Sequence, residues 1–327
     1  MSESDVIPVI IDTDTAQDDC VTLLVGLLDP RADLRAITMV AGNVDFDRQF
    51  VNAQLTLNAA GKLGTTPIFL GARHPLVREW VSASDVHGDG TGGLEMDMSG
   101  LTPEREHAVD ALLRLTAEDP GEISIVCIGP LTNIALAVRT DPTFAQRVKA
   151  LYIMGGSNNA RGNITPAAEF NFFVDPHAAK VVFGAGFRDV VVVPWAPLTI
   201  EEACFTRAEY DAIGAAGTPL ARFYHRICAA TLAYDESVGI DGSTHPDSLT
   251  LSVLLHPELI REATEYFVDV ETDSALTLGY SVMAWEKFEQ RPNARVVEHI
   301  DSEAFYRLIR GFMSQETVPN RPFANLT

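Results

Sequence analysis

The stretch IPVIIDTDTAQDD, residues 7–19, decides how the chain folds. Its first half is a short apolar run, which is typical of a buried strand. Its second half leads into residues 18–28, where apolar side chains recur at the three- and four-residue spacing of a helix. A buried strand followed at once by a helix is the repeating unit of a parallel α/β sheet.

The same order of a strand and then a helix returns along the first two thirds of the chain. The predicted strands cover residues 7–12, 34–40, 67–70, 123–128, 150–154 and 190–193. The predicted helices cover residues 18–28, 48–60, 104–117, 132–138 and 176–183. Strands that alternate with helices in this way predict an α/β fold with a doubly wound, mostly parallel sheet and helices on both faces.

The last third of the chain has a different pattern. After Glu202 it is mainly helical until a short apolar run at residues 295–297, and a final helix is expected from Ser302. We therefore expect a helical C-terminal cap region above the sheet. No Pro/Gly/Ser-rich linker and no internal repeat divides the sequence, so residues 1–327 are predicted to form one domain.

Composition narrows the possible partners and locations. The formal net charge is -21 and no Lys/Arg cluster is present, so the chain should repel nucleic acids and anionic membrane surfaces. Neither a basic-then-apolar leader nor an apolar segment of ~20 residues is found. The 4 cysteines are widely scattered and are expected to be reduced thiols. We therefore expect a cytoplasmic protein that binds neither nucleic acid nor membrane.

Four carboxylates crowd the turn between the first strand and the first helix: Asp12, Asp14, Asp18 and Asp19. Capping of the helix accounts for about one or two of them. The remaining carboxylates would repel one another unless a cation offset their charge. Hard cations such as Ca²⁺ and Mg²⁺ take oxygen ligands, and in open α/β sheets ligands bind beyond the carboxyl ends of strands.

Two well-known acidic motifs fit this turn incompletely. An EF-hand loop counted from Asp12 would need Gly and Glu where Gln17 and Leu23 stand. Phosphatases of the haloacid dehalogenase type also open with a strand and two aspartates, here Asp12 and Asp14, as nucleophile and general acid. Their usual Thr is replaced by Ala16. A phosphatase of this type is therefore an alternative interpretation.

The acidic turn resembles the opening signature of nucleoside hydrolases, Asp-x-Asp-Pro-Gly-x-Asp-Asp, with Thr15-Ala16 in place of Pro-Gly. Further motifs follow in the family's order. They are Gly42-Asn43, Gly129-Pro130-Leu131-Thr132-Asn133, Asn163 with Ala168-Glu169-Phe170-Asn171, and Asp247. The chain is therefore similar to nucleoside hydrolases of the inosine/uridine-preferring type from Asp12 to Asp247 at least.

This resemblance implies an enzyme of nucleoside catabolism and salvage, which hydrolyses the N-glycosidic bond of ribonucleosides to free base and ribose in a calcium-dependent reaction. It places the calcium ligands at Asp14, Asp19, the backbone carbonyl of Thr132, and Asp247, all of them oxygen donors. Asp14 would activate a calcium-bound water by accepting its proton. The resemblance also implies a homodimer or homotetramer. Thr132 has an additional reading as the N-cap of the helix that follows it.

Ribose is a polyol, and its recognition requires several fixed donors and acceptors. By resemblance, Asp18 faces the 2′-hydroxyl, Asn163 and Glu169 face the 5′-hydroxyl, and Asn171 reaches the 3′-hydroxyl. Asn43 is a further candidate for binding the sugar. Isolated Asn residues are more often turn formers, but their occurrence with Glu169 in one segment favours a ligand role.

Three more residues are expected on the side of the base. Phe170 packs against the sugar or base, and His87 lies in a His-Gly loop that resembles the family's loop over the base pocket. His245 is the candidate acid for the leaving group, but Pro246 separates it from Asp247, whereas many family members have His directly before that Asp. In an extended segment, this shift turns the side chain to the opposite side. A loop histidine bonded to a backbone carbonyl is the alternative interpretation of His245.

The sequence leaves one more class of function open, a non-catalytic binder of ribose or nucleosides that keeps the pocket without turnover. Such a protein would bind the ligand and release no base, whereas the phosphatase would release phosphate. The sequence does not establish which base is preferred. Asp14, together with the complete set of ligand residues, favours the hydrolase over the binder.

Overall fold

A computed structural model describes residues 6–284 and 289–326 of the chain. Its strands, in chain order, are β1 (Ile7–Thr13), β2 (Ala32–Met39), β3 (Ile68–Leu70), β4 (Ser124–Cys127), β5 (Leu151–Met154), β6 (Val190–Val193), β7 (Cys204–Phe205), β8 (Ser243–Thr244), β9 (Ile260–Val270), β10 (Ser281–Ala284) and β11 (Ala294–Ile300). All six strands predicted in the first two thirds of the chain are present, with bounds shifted by no more than a few residues.

The helices also follow the prediction closely in the first part of the chain. They are α1 (Gln17–Leu28), α2 (Phe46–Ala59), α3 (Ser84–His87), α4 (Ala108–Glu118), α5 (Thr132–Thr140), α6 (Phe144–Arg147), α7 (Phe170–Val174), α8 (Pro176–Phe183), α9 (Ile200–Glu202), α10 (Arg207–Gly214), α11 (Pro219–Ile227), α12 (Ala229–Ser237), α13 (Pro246–Leu255) and α14 (Ser302–Met313). No helix within the described ranges has the length and apolar character needed to cross a bilayer.

The central sheet has nine strands in the order β10-β9-β11-β6-β5-β4-β1-β2-β3. The neighbours from β11 through β3 pair in parallel. β9 is antiparallel to both β11 and β10, so the antiparallel pairs lie at one edge. The predicted mostly parallel sheet is confirmed. β7 and β8 form a separate two-stranded antiparallel pair.

Two apolar clusters cover the two faces of this sheet. Along β1, Val9 and Ile11 belong to one cluster, whereas Ile10 between them belongs to the other. Successive side chains of a strand point to opposite faces, so the sheet is buried on both sides. The strand β6 has four valines, all of them buried. This is the burial expected when helices cover both faces of a parallel sheet.

The C-terminal third contains strands that the sequence pattern did not predict. The helices expected after Glu202 are present as α10 to α13, but β9 and β10 follow them. β9 is only half-buried: Tyr266, Val268 and Val270 are buried, and the residues between them are partly exposed. Alternation of apolar and polar residues is typical of an antiparallel strand with one solvent-exposed face. This pattern differs from the continuous apolar runs of the earlier strands.

Candidate active site

A cavity of about 220 Å³ opens beyond the carboxyl ends of the parallel strands. Its lining includes Asp18, Asn43, Ile128, Met154 and Trp195, which lie at or after the ends of β1, β2, β4, β5 and β6. The helices α3 and α12 and the start of α13 complete the walls. Ligand sites of open α/β sheets lie at this edge, as the sequence predicted.

Three carboxylates meet at a site that we call the acidic end, where Asp18 and Asp247 line the cavity and Asp19 is buried next to them. Asp18, Asp19 and Asp247 each place an oxygen within 4.8 Å of the others. Asp18 and Asp19 begin α1 and Asp247 lies in the first turn of α13, where helix N-termini favour negative charge. Burial nevertheless raises the pKa of all three, that of Asp19 to about 6. The cluster therefore has the charge and the oxygen donors of a hard-cation site.

Asp14 lies beside this cluster in a fully buried position. Its Oδ2 accepts the backbone N–H of Asn43 at 2.7 Å, while its Oδ1 is buried without a hydrogen-bond partner. A Cβ atom at Gly42 would lie 1.9 Å from Oδ2, and one at Gly129 would lie 2.7 Å from Oδ1. Both glycines of the motifs are thus needed to admit this carboxyl. Burial, followed by the charge of Asp19, raises the pKa of Asp14 well above its usual range.

Asn43 holds the acidic end together. Its side-chain amide donates to Asp19 Oδ2 at 3.2 Å, in addition to the backbone bond to Asp14. Thr13 Oγ1 donates to the other oxygen of Asp19 at 2.6 Å, and the Ala16 N–H donates to Oδ2 at 2.9 Å. Asn43 lines the cavity, as expected for a sugar contact, and it also fixes two of the carboxylates.

Thr132 does not cap α5 with its side chain. The helix begins at Thr132 itself, and its hydroxyl donates to Asp175 Oδ2 at 2.7 Å. The interpretation of Thr132 as an N-cap is therefore wrong, because the hydroxyl has a different partner. Asp175 caps α8 through the Ala178 N–H at 2.9 Å. An Asp followed by Pro, as at 175–176, is the sequence pattern of a helix N-cap and first helical residue.

Glu169 is buried in the cavity wall at the start of α7. Its carboxylate accepts the backbone N–H groups of Gly156 and Asn171, both at 2.8 Å, and of Phe172 at 3.2 Å. Burial raises the pKa of Glu169 to about 7, and these three bonds act in the opposite direction. The side chain is thus held in one orientation towards the cavity.

Asn163, Phe170 and Asn171 line the same wall as Glu169. Asn163 Oδ1 accepts the Phe170 N–H at 2.8 Å, and Asn171 Nδ2 donates to the carbonyls of Ile128 and Met154, each at 3.2 Å. All four of these predicted residues are therefore brought together. Their polar atoms are positioned by the backbone, which reduces the entropy lost when a ligand binds.

His87 lines the cavity at the end of α3. Its Nδ1 bonds with the Gln17 side-chain carbonyl, and Gln17 Nε2 donates to the His87 carbonyl at 2.5 Å. Burial lowers the pKa of His87 to about 4, so the ring is neutral at neutral pH. These bonds join the α3 loop to the first turn of α1.

His245 is not brought into the cavity, although Thr244 and Pro246 on either side of it line the wall. Its ring stacks on Tyr224, and its Nε2 lies 2.9 Å from the Tyr224 hydroxyl. Burial lowers its pKa to about 3, which leaves it neutral. The inserted proline thus turns the side chain away. In this structure the His245 ring lies outside the cavity lining, and its recorded hydrogen bond is to the Tyr224 hydroxyl and not to a backbone carbonyl.

Comparison with known proteins agrees with this geometry. The sequence profile of the family described as inosine-uridine preferring nucleoside hydrolase matches residues 9–307. The chain belongs to the nucleoside hydrolase family. The predicted resemblance is confirmed, and the dehalogenase-type phosphatase is rejected. The protein is a hydrolase that acts on the N-glycosidic bond of ribonucleosides.

Relatives of this nucleoside hydrolase match it over nearly their whole length. An uncharacterized protein of Schizosaccharomyces pombe is 36% identical, with 92% of this chain and 97% of the relative covered. The pyrimidine-specific ribonucleoside hydrolase RihA of Citrobacter koseri is 33% identical, with 93% and 96% covered. The solved structure of a plant nucleoside hydrolase has a TM-score of 0.86 at 30% identity, with 94% of this chain and 99% of that chain covered.

Another wall of the cavity contains residues of this nucleoside hydrolase that were not predicted from the sequence. Thr231, Tyr234 and Asp235 of α12 line the wall, together with Thr244 of β8. The only available signal was the four-residue spacing of Thr231 and Asp235, which places two polar side chains on one face of a helix. That spacing does not indicate which face of the helix lines a cavity.

Proposed function

We propose that this nucleoside hydrolase requires calcium and that Asp14 accepts the proton of the water that attacks the sugar. The observation that carries the proposal is the buried Oδ1 of Asp14, which has no partner and lies beside the acidic end. Buried carboxylates are found where they are paired or coordinate a metal. An unpaired carboxylate oxygen such as Asp14 Oδ1 can bind a cation or accept a proton from an attacking water.

The residues fit calcium better than a softer metal, because every donor is an oxygen. The proposed ligands are Asp14, Asp19, the backbone carbonyl of Thr132, and Asp247, with Asp18 adjacent. Calcium takes about six to eight oxygen ligands, so water or substrate hydroxyls would complete the set. When bound, the cation supplies positive charge that offsets the carboxylates and orients the 2′- and 3′-hydroxyls of ribose.

The sugar is held by the predicted polar residues around the acidic end. We assign Asp18 to the 2′-hydroxyl, Asn163 and Glu169 to the 5′-hydroxyl, and Asn171 to the 3′-hydroxyl. Their support is that all four line one cavity and are oriented by backbone groups. Asn43, Phe170 and His87 contribute the remaining contacts with the substrate.

The reaction follows from this placement. Cleavage of the bond from C1′ to the base nitrogen passes through an oxocarbenium-like state, whose positive charge the neighbouring carboxylates stabilise. Asp14 is fixed through Asn43 and has one free oxygen with which to accept the proton of the water. Holding the water and the sugar in one geometry lowers the entropic part of the barrier.

The remaining expectations belong to the same proposal. Residues 1–327 form a single domain, the protein is cytoplasmic, and it assembles as a homodimer or homotetramer. It binds a small ribonucleoside and neither nucleic acid nor membrane. The similarity to the pyrimidine-specific ribonucleoside hydrolase RihA of Citrobacter koseri supports pyrimidine ribonucleosides as the first substrates to assay.

The decisive experiment is a base-release assay on uridine, cytidine, inosine, adenosine and guanosine, with added calcium and after chelation. We expect release from at least one ribonucleoside that is lost on chelation and restored by calcium. Asp14→Asn is the matched variant, which should still bind the ribonucleoside but turn it over ~10²–10⁴-fold more slowly. Binding without release by the wild-type protein would instead establish the non-catalytic binder.

A further inference from the structure

One wall of the cavity is formed mainly by α12, and we call this wall the base end. Thr231 and Asp235 are four residues apart on this helix, so they share one face, and both line the cavity. Val238 and Ile240, just beyond the helix, add apolar surface to the same wall. A wall with a hydroxyl, a carboxyl and apolar side chains suits the edge of a nucleobase.

Thr231 keeps a buried atom without a partner, whereas Asp235 accepts its hydrogen bonds through one of its two carboxyl oxygens. Thr231 is 5% exposed and its Oγ1 is buried without a hydrogen bond. Asp235 is 2% exposed, and its Oδ2 accepts both the N–H and the hydroxyl of Thr244 at 2.9 Å. Within residues 6–284 and 289–326, no hydrogen bond engages its Oδ1. An unpaired buried polar atom costs ~1–3 kcal/mol, which a bound ligand can offset.

Asp235 also has the proton affinity that an acid needs. Burial raises the pKa of Asp235 to about 7, the bonds from Thr244 lower it, and Asp18 raises it. A general acid works best when its pKa lies near the operating pH. The titratable groups around this carboxyl are Asp18 on α1, Asp85 and His87 on α3, Tyr234 on α12 and Cys204 on β7.

The other titratable groups near the base are less suited to donate a proton. His245 lies outside the cavity. His87 is neutral, and its Nδ1 is bonded to Gln17. Burial raises the pKa of Tyr234 above its ordinary value of 10.0, which makes its hydroxyl a weaker acid. Asp85 is exposed at the rim. Burial also raises the pKa of Glu169 to about 7, but both of its carboxyl oxygens already accept backbone N–H groups. Asp235 accepts its recorded hydrogen bonds through Oδ2 and lines the α12 wall, so it is the carboxyl that we select.

We propose that Asp235 protonates the departing base and that Thr231 holds this base by a hydrogen bond. The proposal rests on the ribonucleoside hydrolase function described above. The bond from C1′ to the base nitrogen breaks, and its electron pair passes to the base, which takes the proton from Asp235 Oδ1. The oxygen of water bonds to C1′ and its proton passes to Asp14. Return of that proton to Asp235 through solvent completes a cycle that consumes one water.

The test uses Asp235→Asn, because the amide oxygen can still accept both bonds from Thr244 while the acidic proton is gone. We expect kcat for natural ribonucleosides to fall ~10²–10⁴-fold. Hydrolysis of p-nitrophenyl riboside should change less than about threefold, because its phenolate departs without a proton. The wild-type kcat should fall as the pH rises through the pKa of Asp235, and this fall should be absent in the variant.

Two further variants separate the roles. Thr231→Val should raise KM about tenfold, the equivalent of one hydrogen bond of ~1.4 kcal/mol, with little change in kcat. Asp241→Asn is the matched control, since this exposed carboxylate follows α12 but does not line the cavity. It should leave both substrates unaffected, and thermal melting should show that all variants fold.

Two results would overturn the proposal. One is unchanged kcat of Asp235→Asn on natural ribonucleosides. The other is an equal loss on ribonucleosides and p-nitrophenyl riboside, which would make Asp235 a structural residue. A wild-type enzyme that releases no base from any ribonucleoside would instead overturn the proposed function, and the wild-type assay distinguishes that case.

Discussion

The acidic end and the base end of the cavity are built in different ways. At and beside the acidic end, Asp19 and Asp14 each accept a backbone N–H, so their carboxylates have fixed positions. At the base end, Thr231 Oγ1 has no hydrogen-bond partner and Asp235 accepts its bonds through one of its two oxygens, and both residues stand on one nine-residue helix. Asp14 and Asp19 thus follow closely after β1 and are fixed by backbone groups, whereas the base end depends on the packing of α12.

This difference matches the two halves of a nucleoside. Ribose is the same in every ribonucleoside, so a rigid set of donors and acceptors can be aligned with its hydroxyls in advance. The base varies in size and in the positions of its polar atoms. Side chains that bind it therefore need polar atoms that have no hydrogen-bond partner until the base arrives. Changes at the acidic end should therefore affect all substrates, whereas changes at the base end should depend on the leaving group.

The largest effect should come from removing one hydroxyl at the acidic end. We expect kcat/KM for 2′-deoxyuridine to be ~10⁴-fold below that for uridine, because a site built to bond a hydroxyl rejects the analogue that lacks it. Asp18, which is half-buried in the cavity wall, would then lose its partner. Steady-state kinetics on the two nucleosides measure this ratio.

The matched control alters only the base. For 5-methyluridine, one additional methyl group should change kcat/KM by no more than about 10–200-fold. Equal rates on uridine and 2′-deoxyuridine would contradict the assignment of Asp18 and remove the distinction between the two ends.

Removal of a proposed metal ligand should have the next largest effect. Asp19→Ala and Asp247→Ala should each lose bound calcium and at least ~10³-fold of turnover, equivalent to ~4 kcal/mol of transition-state stabilisation. Elemental analysis and the base-release assay check both properties, with the exposed Asp110→Ala on α4 as control. Stoichiometric calcium and full activity in both variants would exclude the proposed site.

Asp19→Asn should be more stable than the wild type once calcium is chelated, because the amide is uncharged and its oxygen can still accept hydrogen bonds from the neighbouring donors. Burial raises the pKa of Asp19 from 3.8 to about 6 in the folded protein. A carboxyl with a raised folded pKa lowers stability above its unfolded pKa, and the full cost is reached once the pH exceeds the folded value. At pH ~8 we therefore expect a higher free energy of unfolding for calcium-free Asp19→Asn than for the calcium-free wild type, measured by chemical denaturation.

The smallest effect on rate is expected at His245, which lies next to the base end but outside the cavity. His245→Phe keeps a ring against Tyr224 and removes the bond to its hydroxyl. Leaving that buried hydroxyl unpaired should cost ~1–3 kcal/mol of stability, measured by chemical denaturation. The kcat on uridine should stay within about threefold of wild type. If kcat of the variant fell about 100-fold on natural nucleosides only, His245 would be the leaving-group acid.

Sequence alone was sufficient for the features that depend on local order. The alternation of apolar runs with helices predicted six strands of the sheet, and the position of the carboxylates after β1 predicted where the cavity lies. Parallel strands are buried on both faces and read as continuous apolar runs, which makes them recognisable. β9 was missed because an antiparallel edge strand has one wet face and no such run.

Only the tertiary structure decided which distant side chains meet. Packing of α13 against α1 brings Asp247 to Asp18 and Asp19, and no local pattern encodes that contact. The direction of His245 depends on how Pro246 starts α13, and the role of Asp235 depends on which face of α12 looks inward. A residue's type and spacing are properties of the chain, whereas the burial that orients it and raises or lowers its pKa arises only when separate elements pack together.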